Sequence, residues 1–592
     1  MSGTVPLPFE DSRRLTGPNL FFGSCGAALE ALPSGSGDAQ AFERWARHVQ
    51  GLGLRLGWPE GPVVARPHGS GASLAFTAPE DQLFTATEVN EWAWLRALEE
   101  TSGTALGRFF APGHPAVGDQ ESALATLGAM AAAEARPGLM TLLHEARLRL
   151  LPALLDESIL SLGAGSGHRA WPLEALPPAE TIPWEQLHDV PTALVTGSNG
   201  KTTSVRLLAA MAVAQGLTAG HTCTDGIYVA GQLVEAGDYS GPGGARSVLR
   251  DLRVQAAILE TARGGILRRG LAVRWADVAL VTNVSPDHFG EYGIHTIQEL
   301  ADAKLVVARA VAPGGLLVLN ADDPGLAVRA ATLSCPIGWF SRDDQHPRLD
   351  DHRRAGGATC GVRAGRLRLS WKGVVRDLGE VAAMPLSAGG HAAYNISNLA
   401  GAALAAAGLG IAPGAIASVL AAFGAARADN PGRLETWRFG GITIFMDYAH
   451  NPEGLEGLLE VASQARGSGR MGLLLGQAGN REDHAIRALA ATAARFDPDF
   501  VVLKDIEGFL RGRAPGEVPD ILQRALEVHG VAPERLRVVL PEEEAVLALL
   551  GWARTGDVVV LPVHGAQARN AVAARLDDLE AGGWTAGNPV AH

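Results

Sequence analysis

A glycine-rich turn between a strand and a helix holds the residues with the most specific chemistry in this sequence. The stretch VTGSNGKTTS follows the β-rich run TALVT and leads into the helical run SVRLLAAMAVAQG. Main-chain N–H groups of such a turn and the positive end of the helix bind phosphate groups, while Lys201 reaches the terminal phosphates and Thr202 offers a hydroxyl to Mg²⁺. We therefore predict that the turn binds a nucleotide. Its residues are Gly197, Ser198, Asn199, Gly200, Lys201, Thr202 and Thr203.

The spacing of this turn differs from the general phosphate-loop pattern, because Val195 stands five positions before Gly200, where that pattern has glycine. The alternative is a tight turn that binds nothing, although Gly-Lys-Thr-Thr between a strand and a helix has no evident structural purpose. The variant TGSNGKTT resembles the nucleotide loop of the Mur ligases, which are ATP-dependent enzymes that form amide bonds. The resemblance implies ATP and Mg²⁺, with two ions, as cofactors.

Three downstream positions match the same family in the same order. Glu260 ends the strand of ILETARGG at the carboxyl edge of a parallel sheet, and a solvated acid is the alternative to a metal ligand there. The resemblance implies that His288 of VTNVSPDHFG helps to hold a second Mg²⁺, whereas chemistry alone favours a surface-loop histidine, because imidazole is softer than carboxylate. Lys304 falls where several Mur ligases carry a carbamylated lysine, and an ordinary exposed lysine is the alternative.

The resemblance implies a division of roles among these residues. The catalytic set is Lys201, Glu260, His288 and Lys304, and the metal ligands are Thr202, Glu260, His288 and Lys304. Nucleotide contacts extend to Asn283 in VTNVSPDH and to Asn395 and Asn398 in YNISN, whose amides can bind adenine; helix capping is the alternative for these two. In NPGRLE and FMDYAHNPEGL, the resemblance implies that Arg433 contacts phosphate, Asp447 the ribose, and His450 the same nucleotide.

Two stretches near the C-terminus resemble the cyanophycin-synthetase branch of the family in particular. These are GQAGNREDH and LKDIEGFLRGRAPGE. Arg481, Arg511 and Arg513 are predicted to bind a substrate carboxylate through bidentate hydrogen bonds. Asp505 or Glu507 is predicted to hold a cationic amine or guanidinium, and a solvated surface charge is the alternative for each of these side chains.

These residues need an α/β scaffold, and the order of elements predicts one. The runs TALVT, QAAILET, ADVALVTNV and GGLLVLNADD alternate with helical stretches, which is typical of parallel βαβ units, and alternation as in RLRLSWKG predicts an antiparallel insertion or edge. The fold class is therefore α/β, with a Mur-ligase-like parallel-sheet P-loop ATPase core, a Rossmann-like C-terminal domain and a mixed α+β N-terminal domain. The predicted boundaries are 1–175, 185–430 and 431–592.

Composition limits the other function classes. Of 592 residues, 47% are hydrophobic and 19% charged, which indicates a globular protein. The net charge of −13 disfavours nucleic acid and anionic membranes as partners. Four scattered cysteines, and an N-terminus without the apolar stretch of a secretory signal, favour reduced thiols in the cytoplasm. The uncharged segment Ala392 to Ala426 predicts two packed alanine-rich helices instead of a membrane span.

The predicted function is an ATP-dependent, ADP-forming amide ligase that activates a carboxylate as an acyl phosphate and couples it to an amino-acid amine. By analogy with the cyanophycin-synthetase branch, the amine is a basic amino acid and the carboxylate belongs to an aspartyl peptide. Only about 170 residues precede the Mur-like part, so the ATP-grasp module of that branch is expected to be absent. A folylpolyglutamate- or muramyl-peptide-type ligase and a silent nucleotide-binding regulatory protein are alternatives, and a homo-oligomer or a separately encoded partner ligase stays open.

Overall fold

The N-terminal part of the chain contains an antiparallel sheet with helices packed against it. The computed structural model describes residues 7–33, 38–103, 109–287 and 289–590. The first elements are β1 (Phe9–Leu15), β2 (Gly26–Ala31), α1 (Asp38–Arg55), β3 (Val63–His68), β4 (Gly71–Thr77) and α2 (Leu83–Ser102). The strand order is β1-β2-β4-β3 with every neighbouring pair antiparallel. Trp45 and Trp94 are buried in the core that α1 and α2 form with this sheet, which confirms the mixed α+β class.

A second, smaller cluster follows before the central sheet. Its elements are α3 (Gln120–Glu134), α4 (Pro137–Leu148), β5 (Ala153–Leu155), β6 (Ile159–Leu162) and β7 (Arg169–Pro172). The three strands form an antiparallel sheet in sequence order. Leu139, Leu142 and Leu143 of α4 pack with Leu160 and Leu162 of β6, because α4 presents its apolar side to this sheet.

The central sheet positions the glycine-rich turn. Its elements are β8 (Thr192–Thr196), α5 (Lys201–Ala214), β9 (Ala219–Cys223), β10 (Gly226–Val229), β11 (Gln232–Ala236), α6 (Pro242–Leu249), β12 (Ala256–Glu260), α7 (Arg263–Arg269), β13 (Ala276–Val281), α8 (Ile297–Lys304), β14 (Val311–Asn320), α9 (Pro324–Arg329) and β15 (Ile337–Ser341). The strands β9-β12-β8-β13-β14-β15 are parallel neighbours, and β10 and β11 extend the β9 edge in antiparallel fashion. Every residue of β8 and β12 is buried, as expected for strands covered by helices on both faces.

The segment around the first strand of the chain is joined to the end of α7, beside the central sheet, through main-chain hydrogen bonds. The Thr16 N–H donates to the Arg269 carbonyl over 2.7 Å, and the Leu271 N–H donates to the Pro18 carbonyl over 2.7 Å. The Arg13 guanidinium donates to the Leu267 carbonyl over 3.0 Å. The segment that follows β1 therefore runs along the end of α7.

The last part of the predicted 185–430 domain contains the expected antiparallel strands and alanine-rich helices. Its elements are α10 (Pro347–Arg354), β16 (Ala358–Arg363), β17 (Arg366–Trp371), β18 (Val374–Glu380), α11 (Ala393–Gly408) and α12 (Pro413–Ala422). β17 and β18 pair in antiparallel fashion, as the alternation of RLRLSWKG predicts. In the described ranges no helix is long and apolar enough to cross a membrane. The uncharged segment thus forms two helices, as predicted.

The C-terminal part is a second parallel sheet. Its elements are β19 (Glu435–Phe439), β20 (Ile442–Asp447), α13 (Pro452–Arg466), β21 (Met471–Leu475), α14 (Asp483–Ala494), β22 (Phe500–Leu503), α15 (Glu517–Val528), β23 (Leu536–Val538), α16 (Glu542–Trp552), β24 (Val558–Pro562) and α17 (Ala566–Ala581). The strand order is β19-β20-β24-β21-β22-β23, and only the β19–β20 pair of these described strands is antiparallel. This arrangement confirms the Rossmann-like C-terminal fold.

The described chain forms two compact units. The first contains the residues up to Phe340 with Asp351–Thr359 and Gly401–Ala412, and the second contains Ser341–Asp350, Cys360–Ala400 and the residues from Pro413 onward. The N-terminal region and the central parallel sheet therefore lie in the same unit. The boundaries 1–175, 185–430 and 431–592 stay a prediction.

Candidate active site

The glycine-rich turn lies at the carboxyl edge of the central parallel sheet, between β8 and α5. Gly200 precedes α5 with φ of +81°, and Gly197 follows β8 with φ of +150°. A Cβ atom on Gly197 would lie 1.8 Å from Thr282 Oγ1, so only glycine fits between β8 and the end of β13. The Lys201 ammonium donates to the Ser198 carbonyl over 3.0 Å. The turn is thus a compact loop with its lysine folded over it.

The carboxylate predicted beside the turn lies within reach of its hydroxyl. Glu260 pairs in register with Val195 on β8, which places it at the same sheet edge as the turn. The Thr202 hydroxyl donates to Glu260 Oε2 over 2.8 Å, and the Glu260 side chain is buried. Thr222 Oγ1 accepts the Glu260 main-chain N–H over 3.2 Å. A hydroxyl and a carboxylate oxygen, both hard donors, therefore converge at one point.

The segment after β13 holds the turn in place from the other side. Asn283 Oδ1 accepts the Asn199 N–H over 2.9 Å, and the Thr282 hydroxyl donates to the Asn199 carbonyl over 2.6 Å. The Ser198 hydroxyl accepts the Ser285 N–H and donates to the Ser285 carbonyl, each over 2.9 Å. Asn283 thus positions the phosphate turn through direct hydrogen bonds.

The NADD stretch after β14 supports this segment in turn. The Asn320 amide donates to the Thr282 carbonyl over 3.0 Å. Asp323 Oδ2 accepts the Val284 N–H over 2.7 Å, while its Oδ1 caps α9 by accepting the Leu326 N–H. Three successive strand ends are therefore linked, which pre-organises the turn for a phosphate group.

Lys304 is buried at the C-terminal end of α8. Its side chain is 4% exposed, so the alternative of an ordinary exposed lysine is wrong. Thr296 and Glu299 form a capping box that fixes the start of this helix. Burial, together with the nearby Lys201 and Arg263 charges, holds the pKa of Lys304 well below 10.5, and Asp287 opposes this shift. A neutral amine is the form that reacts with CO₂ to give a carbamate. His288, the predicted partner in metal binding, lies outside the described residues.

A second group of predicted residues meets at the carboxyl edge of the C-terminal sheet. Asp447 ends β20, where its Oδ2 accepts the Leu434 N–H over 2.7 Å and its Oδ1 accepts the Ala449 N–H over 2.8 Å. Burial raises the pKa of Asp447, and the Arg433 charge opposes the rise. The Arg433 guanidinium lies 4.4 Å from the centre of the Tyr448 ring. Asp447 thus binds the main chain directly after Arg433, whose charge acts on its carboxylate.

The same sheet edge contains a buried ionic cluster that the sequence did not predict. Lys504 follows β22, is 0% exposed and donates to Glu542 Oε1 at the start of α16. Its ammonium lies 3.3 Å from Nδ1 of His564, which follows β24. Burial and the Lys504 charge hold the pKa of His564 well below 6.5, so its imidazole is neutral. Glu542 Oε2 and Asp505 Oδ1 are buried and accept no hydrogen bond from the described residues.

Two family models match consecutive parts of this chain. The Mur ligase middle domain matches residues 195–406, and the Mur ligase, glutamate ligase domain matches residues 432–562. The chain belongs to the Mur ligase family. It is 36% identical over 389 residues to the cyanophycin synthetase of Synechocystis sp., covering 65% of this chain and 44% of that protein. It is 32% identical over 322 residues to the UDP-N-acetylmuramate–L-alanine ligase of Kineococcus radiotolerans, covering 53% of this chain and 59% of that protein.

The matches to the cyanophycin synthetases cover only part of those proteins. A second cyanophycin synthetase, from Crocosphaera subtropica, is also 36% identical and covers 64% of this chain. The chain spans less than half the length of both cyanophycin synthetases. The activity and substrates of those longer proteins therefore reach this chain only as proposals.

The glycine-rich turn fits a nucleotide phosphate and a magnesium ion. A Cβ would fill the space at Gly197, and Thr202 and Glu260 present the hard oxygen donors that Mg²⁺ prefers. Lys201 would add a positive charge for the terminal phosphates. These residues are those predicted from the sequence, and their ligand roles stay predictions.

The two asparagines predicted to bind adenine form hydrogen bonds within the fold. Asn395 donates to the Leu386 carbonyl over 3.1 Å, and Asn398 donates to Asn395 Oδ1 over 3.2 Å, so both amides are buried in one hydrogen-bonded chain. Tyr394 beside them is half-buried, and desolvation and the Asp447 charge raise its pKa well above 10.0. Adenine binding by the two asparagines stays a prediction.

The predicted substrate arginines of the second unit lie on loops. The Arg513 guanidinium donates to the Gly479 and Arg481 carbonyls, to Asp483 and to Glu517, over 2.7 to 2.9 Å, so it ties two loops together. Arg511 is exposed and lies over the Phe509 ring, and Glu507 is also exposed. His450 offers its main-chain carbonyl to the Gln477 amide over 2.8 Å. Substrate contacts by Arg481, Arg511 and Arg513 and nucleotide binding by His450 stay predictions.

We expect Lys304→Met to stabilise the protein at neutral pH in CO₂-free buffer. The folded-state pKa of Lys304 lies below 10.5, so between these two values the unfolded chain binds more protons and stability rises with pH. The penalty for burying the charged amine is present below the folded pKa and is lost as the pH approaches 10.5. The urea midpoint of Lys304→Met should therefore exceed that of the parent at pH 7, with a difference that shrinks as pH rises. The exposed Lys372→Met is the matched control, and an equal gain there would contradict the assignment.

Proposed function

We propose that this protein is an ATP-dependent, ADP-forming ligase that joins a substrate carboxylate to an amino-acid amine. The observation that carries this proposal is the meeting of Lys201, Thr202 and Glu260 at one edge of a parallel sheet. Membership in the Mur ligase family supports the same reaction class. The turn alone would serve any nucleotide-binding protein, whereas a metal-ligating pair beside it suits the transfer of a phosphoryl group.

The first half-reaction transfers a phosphoryl group. A carboxylate oxygen of the substrate attacks the γ-phosphorus of ATP, the bond to the bridging oxygen breaks, and ADP leaves with that electron pair. Negative charge develops on the phosphoryl oxygens, so charge neutralisation matters more than a proton donor. The Lys201 ammonium and the N–H groups that start α5 provide this neutralisation in the protein. Mg²⁺, held by Thr202 and Glu260, would supply further positive charge at the same oxygens.

The second half-reaction forms the amide. The amine nitrogen attacks the acyl carbon of the acyl phosphate, the carbon–oxygen bond to phosphate breaks, and the departing phosphate takes up the proton that the nitrogen loses. The substrate's carboxyl oxygens carry negative charge during phosphoryl transfer and during amide formation. A cation close to the γ-phosphate would stabilise that charge in both half-reactions. His288 and a carbamylated Lys304 are the proposed ligands of a second Mg²⁺ with this task. The burial of Lys304 supports its carbamylation, because a neutral amine is the reactive form.

A basic amino acid is the proposed amine substrate. Asp505 Oδ1 and Glu542 Oε2 are buried carboxylate oxygens that accept no hydrogen bond from the described part of the chain. Both follow strands at the carboxyl edge of the C-terminal sheet, where ligands of such folds bind. A buried carboxylate oxygen without a donor is costly, and an ammonium or guanidinium group would supply that donor. The resemblance to the cyanophycin-synthetase branch favours an aspartyl peptide as the proposed carboxylate substrate, and two relatives of this chain carry that name.

Asp505→Asn is expected to raise the KM for a basic amino acid about tenfold with little change in kcat. Asparagine can keep the hydrogen bond that Asp505 Oδ2 accepts from the Gly516 N–H over 2.8 Å, but it lacks the negative charge. Steady-state kinetics against the amine concentration measures this effect. The charge-assisted hydrogen bond is expected to be equally strong in the ground state and the transition state, so its loss raises KM and leaves kcat unchanged. Asp520→Asn, an exposed partner of Arg524, should leave KM unchanged. An unaltered KM in Asp505→Asn would remove Asp505 from the amine site.

ADP release against a panel of amino acids and acidic peptides tests the proposed function. We expect ADP and a new amide product to form in equal amounts with one carboxylate–amine pair containing a basic amino acid. Stimulation by folate with glutamate, or by muramyl peptides, would instead assign one of the two other ligase classes. ATP binding without ADP release for any pair would overturn the ligase proposal in favour of a regulatory nucleotide-binding protein.

We further propose that the enzyme acts in the cytoplasm and adds one residue per reaction. The four cysteines, Cys25, Cys223, Cys335 and Cys360, are all unpaired, which suits a reducing compartment. The proposed partner of the enzyme is either a second copy of this chain or a separately encoded ligase. Size measurement of the active species distinguishes a homo-oligomer from a complex with such a partner.

A further inference from the structure

A cavity lies in the first unit, away from the residues assigned to the phosphate site. Its volume is about 390 Å³, within the range of small-molecule sites. The N-terminal strands and α2, the second cluster and the C-terminal ends of α6 and α7 all contribute to its lining. Its apolar wall includes Leu139, Leu143, Leu154, Leu271 and Val273, all of which are buried. This cavity therefore offers an apolar surface large enough to hold an organic ligand.

One side of the cavity is rich in positive charge. Arg246 of α6 and Arg269 of α7 both line it. Arg246 makes no side-chain hydrogen bond or ion pair with any described residue, and Arg269 donates only to the Arg14 carbonyl, over 3.3 Å. Burial and neighbouring arginines lower the pKa of both guanidinium groups. Asp156 and Glu157 also line the cavity and act electrostatically on Arg246 and Arg269, but they form their ion pairs with Arg250 and Arg14. Two adjacent half-buried guanidinium groups that form no ion pair with a described residue are a site for an anion.

The cavity also contains a buried carboxylate with one unused oxygen. Asp81 is 8% exposed, and its Oδ2 accepts the Arg136 N–H at the start of α4 over 2.6 Å. Its Oδ1 is buried and accepts no hydrogen bond from the described residues. The neighbouring Glu80, by contrast, pairs with Arg147 and Arg274 over 2.5 and 2.6 Å. Asp81 thus presents an acceptor that a cationic donor would satisfy.

We propose that this cavity binds a small zwitterion with an apolar body, of the class of a free apolar amino acid or dipeptide. Its carboxylate pairs with Arg246 and Arg269, its ammonium group pairs with Asp81, and its side chains lie on the leucine wall. A simple anion would leave Asp81 and the apolar wall unused, and an uncharged apolar molecule would leave both charged ends buried and unpaired. The zwitterion satisfies all three surfaces at once.

The position of the cavity places the ligand against the C-terminal end of α7, the helix that follows the strand of Glu260. α7 begins three residues after Glu260 and ends at Arg269, so at about 1.5 Å per residue its length is roughly 10 Å. A ligand bound to Arg269 therefore contacts the far end of the helix that follows the metal-binding strand. It occupies a place separate from the proposed amine site of the second unit, and the inference does not depend on the ligase proposal.

Calorimetric titration of the full chain with L-leucyl-L-leucine, in the absence of ATP, tests the proposal. We expect saturable binding with a stoichiometry of one. The N-acetylated dipeptide lacks the ammonium group, the dipeptide amide lacks the carboxylate, and diglycine lacks the apolar body. Each is expected to bind at least about tenfold more weakly, the effect of losing one charge-assisted contact or the apolar burial.

Two variants assign the binding to this cavity. Arg246→Met and Asp81→Asn are expected to weaken L-leucyl-L-leucine binding about tenfold or more, while the exposed Arg55→Met leaves it unchanged. No binding by the parent chain at millimolar dipeptide overturns the proposal. Binding that survives undiminished in both variants also overturns it, because the dipeptide then occupies another site. If a variant fails to fold, the three modified dipeptides on the parent chain decide the outcome.

Discussion

Lys201→Ala is expected to reduce ATP-dependent amide formation by about a thousandfold or more. Phosphoryl transfer depends on positive charge at the γ-phosphate, and cationic side chains in this position contribute about 10³-fold or more to the rate. Lys201 is the first residue of α5, and its ammonium group donates a hydrogen bond to the Ser198 carbonyl of the turn. Steady-state ADP release with the substrate pair identified in the panel measures the loss.

The lysine content of the chain provides a matched control for this variant. The chain has four lysines, at positions 201, 304, 372 and 504, and the other basic residues are arginines apart from histidine. Lys372 is exposed in the turn between β17 and β18, so Lys372→Ala should retain parental activity. Near-parental turnover of Lys201→Ala would show that the turn does not bind the reacting phosphate.

Gly197→Ala is expected to abolish ATP binding and to destabilise the first unit. The added methyl group would lie 1.8 Å from Thr282 Oγ1, far inside van der Waals contact, and the φ of +150° is strained for alanine. The strand end must then move away from Thr282, which breaks the hydrogen bonds that hold Asn199. Fluorescent nucleotide titration and a thermal melt measure the two effects.

Gly243→Ala is the control for the glycine variant. Gly243 lies in α6 with no atom within 4 Å of an added Cβ, so alanine should be accommodated there and ATP binding should be unchanged. A Gly197→Ala protein that binds nucleotide as tightly as the parent would contradict the close contact between β8 and the segment after β13.

The sequence predicted the scaffold and the phosphate turn because their signals are local. Each predicted strand of the ATPase core, from TALVT to GGLLVLNADD, is a buried run that ends in a polar or glycine residue, and each is a strand in the structure. The glycine-rich turn needs one strand, one helix and a fixed spacing, all within a few residues. Family resemblance then supplied the order of the downstream motifs.

The parts that could not be predicted depend on contacts between distant segments. Lys504 is 38 positions from Glu542 and 60 positions from His564. No periodicity in the sequence indicates that these three side chains meet. The burial of Lys304 was open because α8 alone does not say which face is covered. Asn283 was predicted as a nucleotide contact, while its hydrogen bonds to Asn199 depend on the register of β8 and β13.

The hydrogen bonds between the segment around the first strand and the end of α7 determine whether the N-terminal region can be removed without loss of the fold. Removing the N-terminal region would leave the carbonyls of Leu267 and Arg269 and the Leu271 N–H without the donors and acceptor that they use. The sequence predicts a domain boundary between the N-terminal region and the central sheet. Main-chain hydrogen bonds nevertheless join the two sides of that boundary. The N-terminal region and the core are therefore expected to be inherited and expressed together, and a truncation between them should yield an insoluble product.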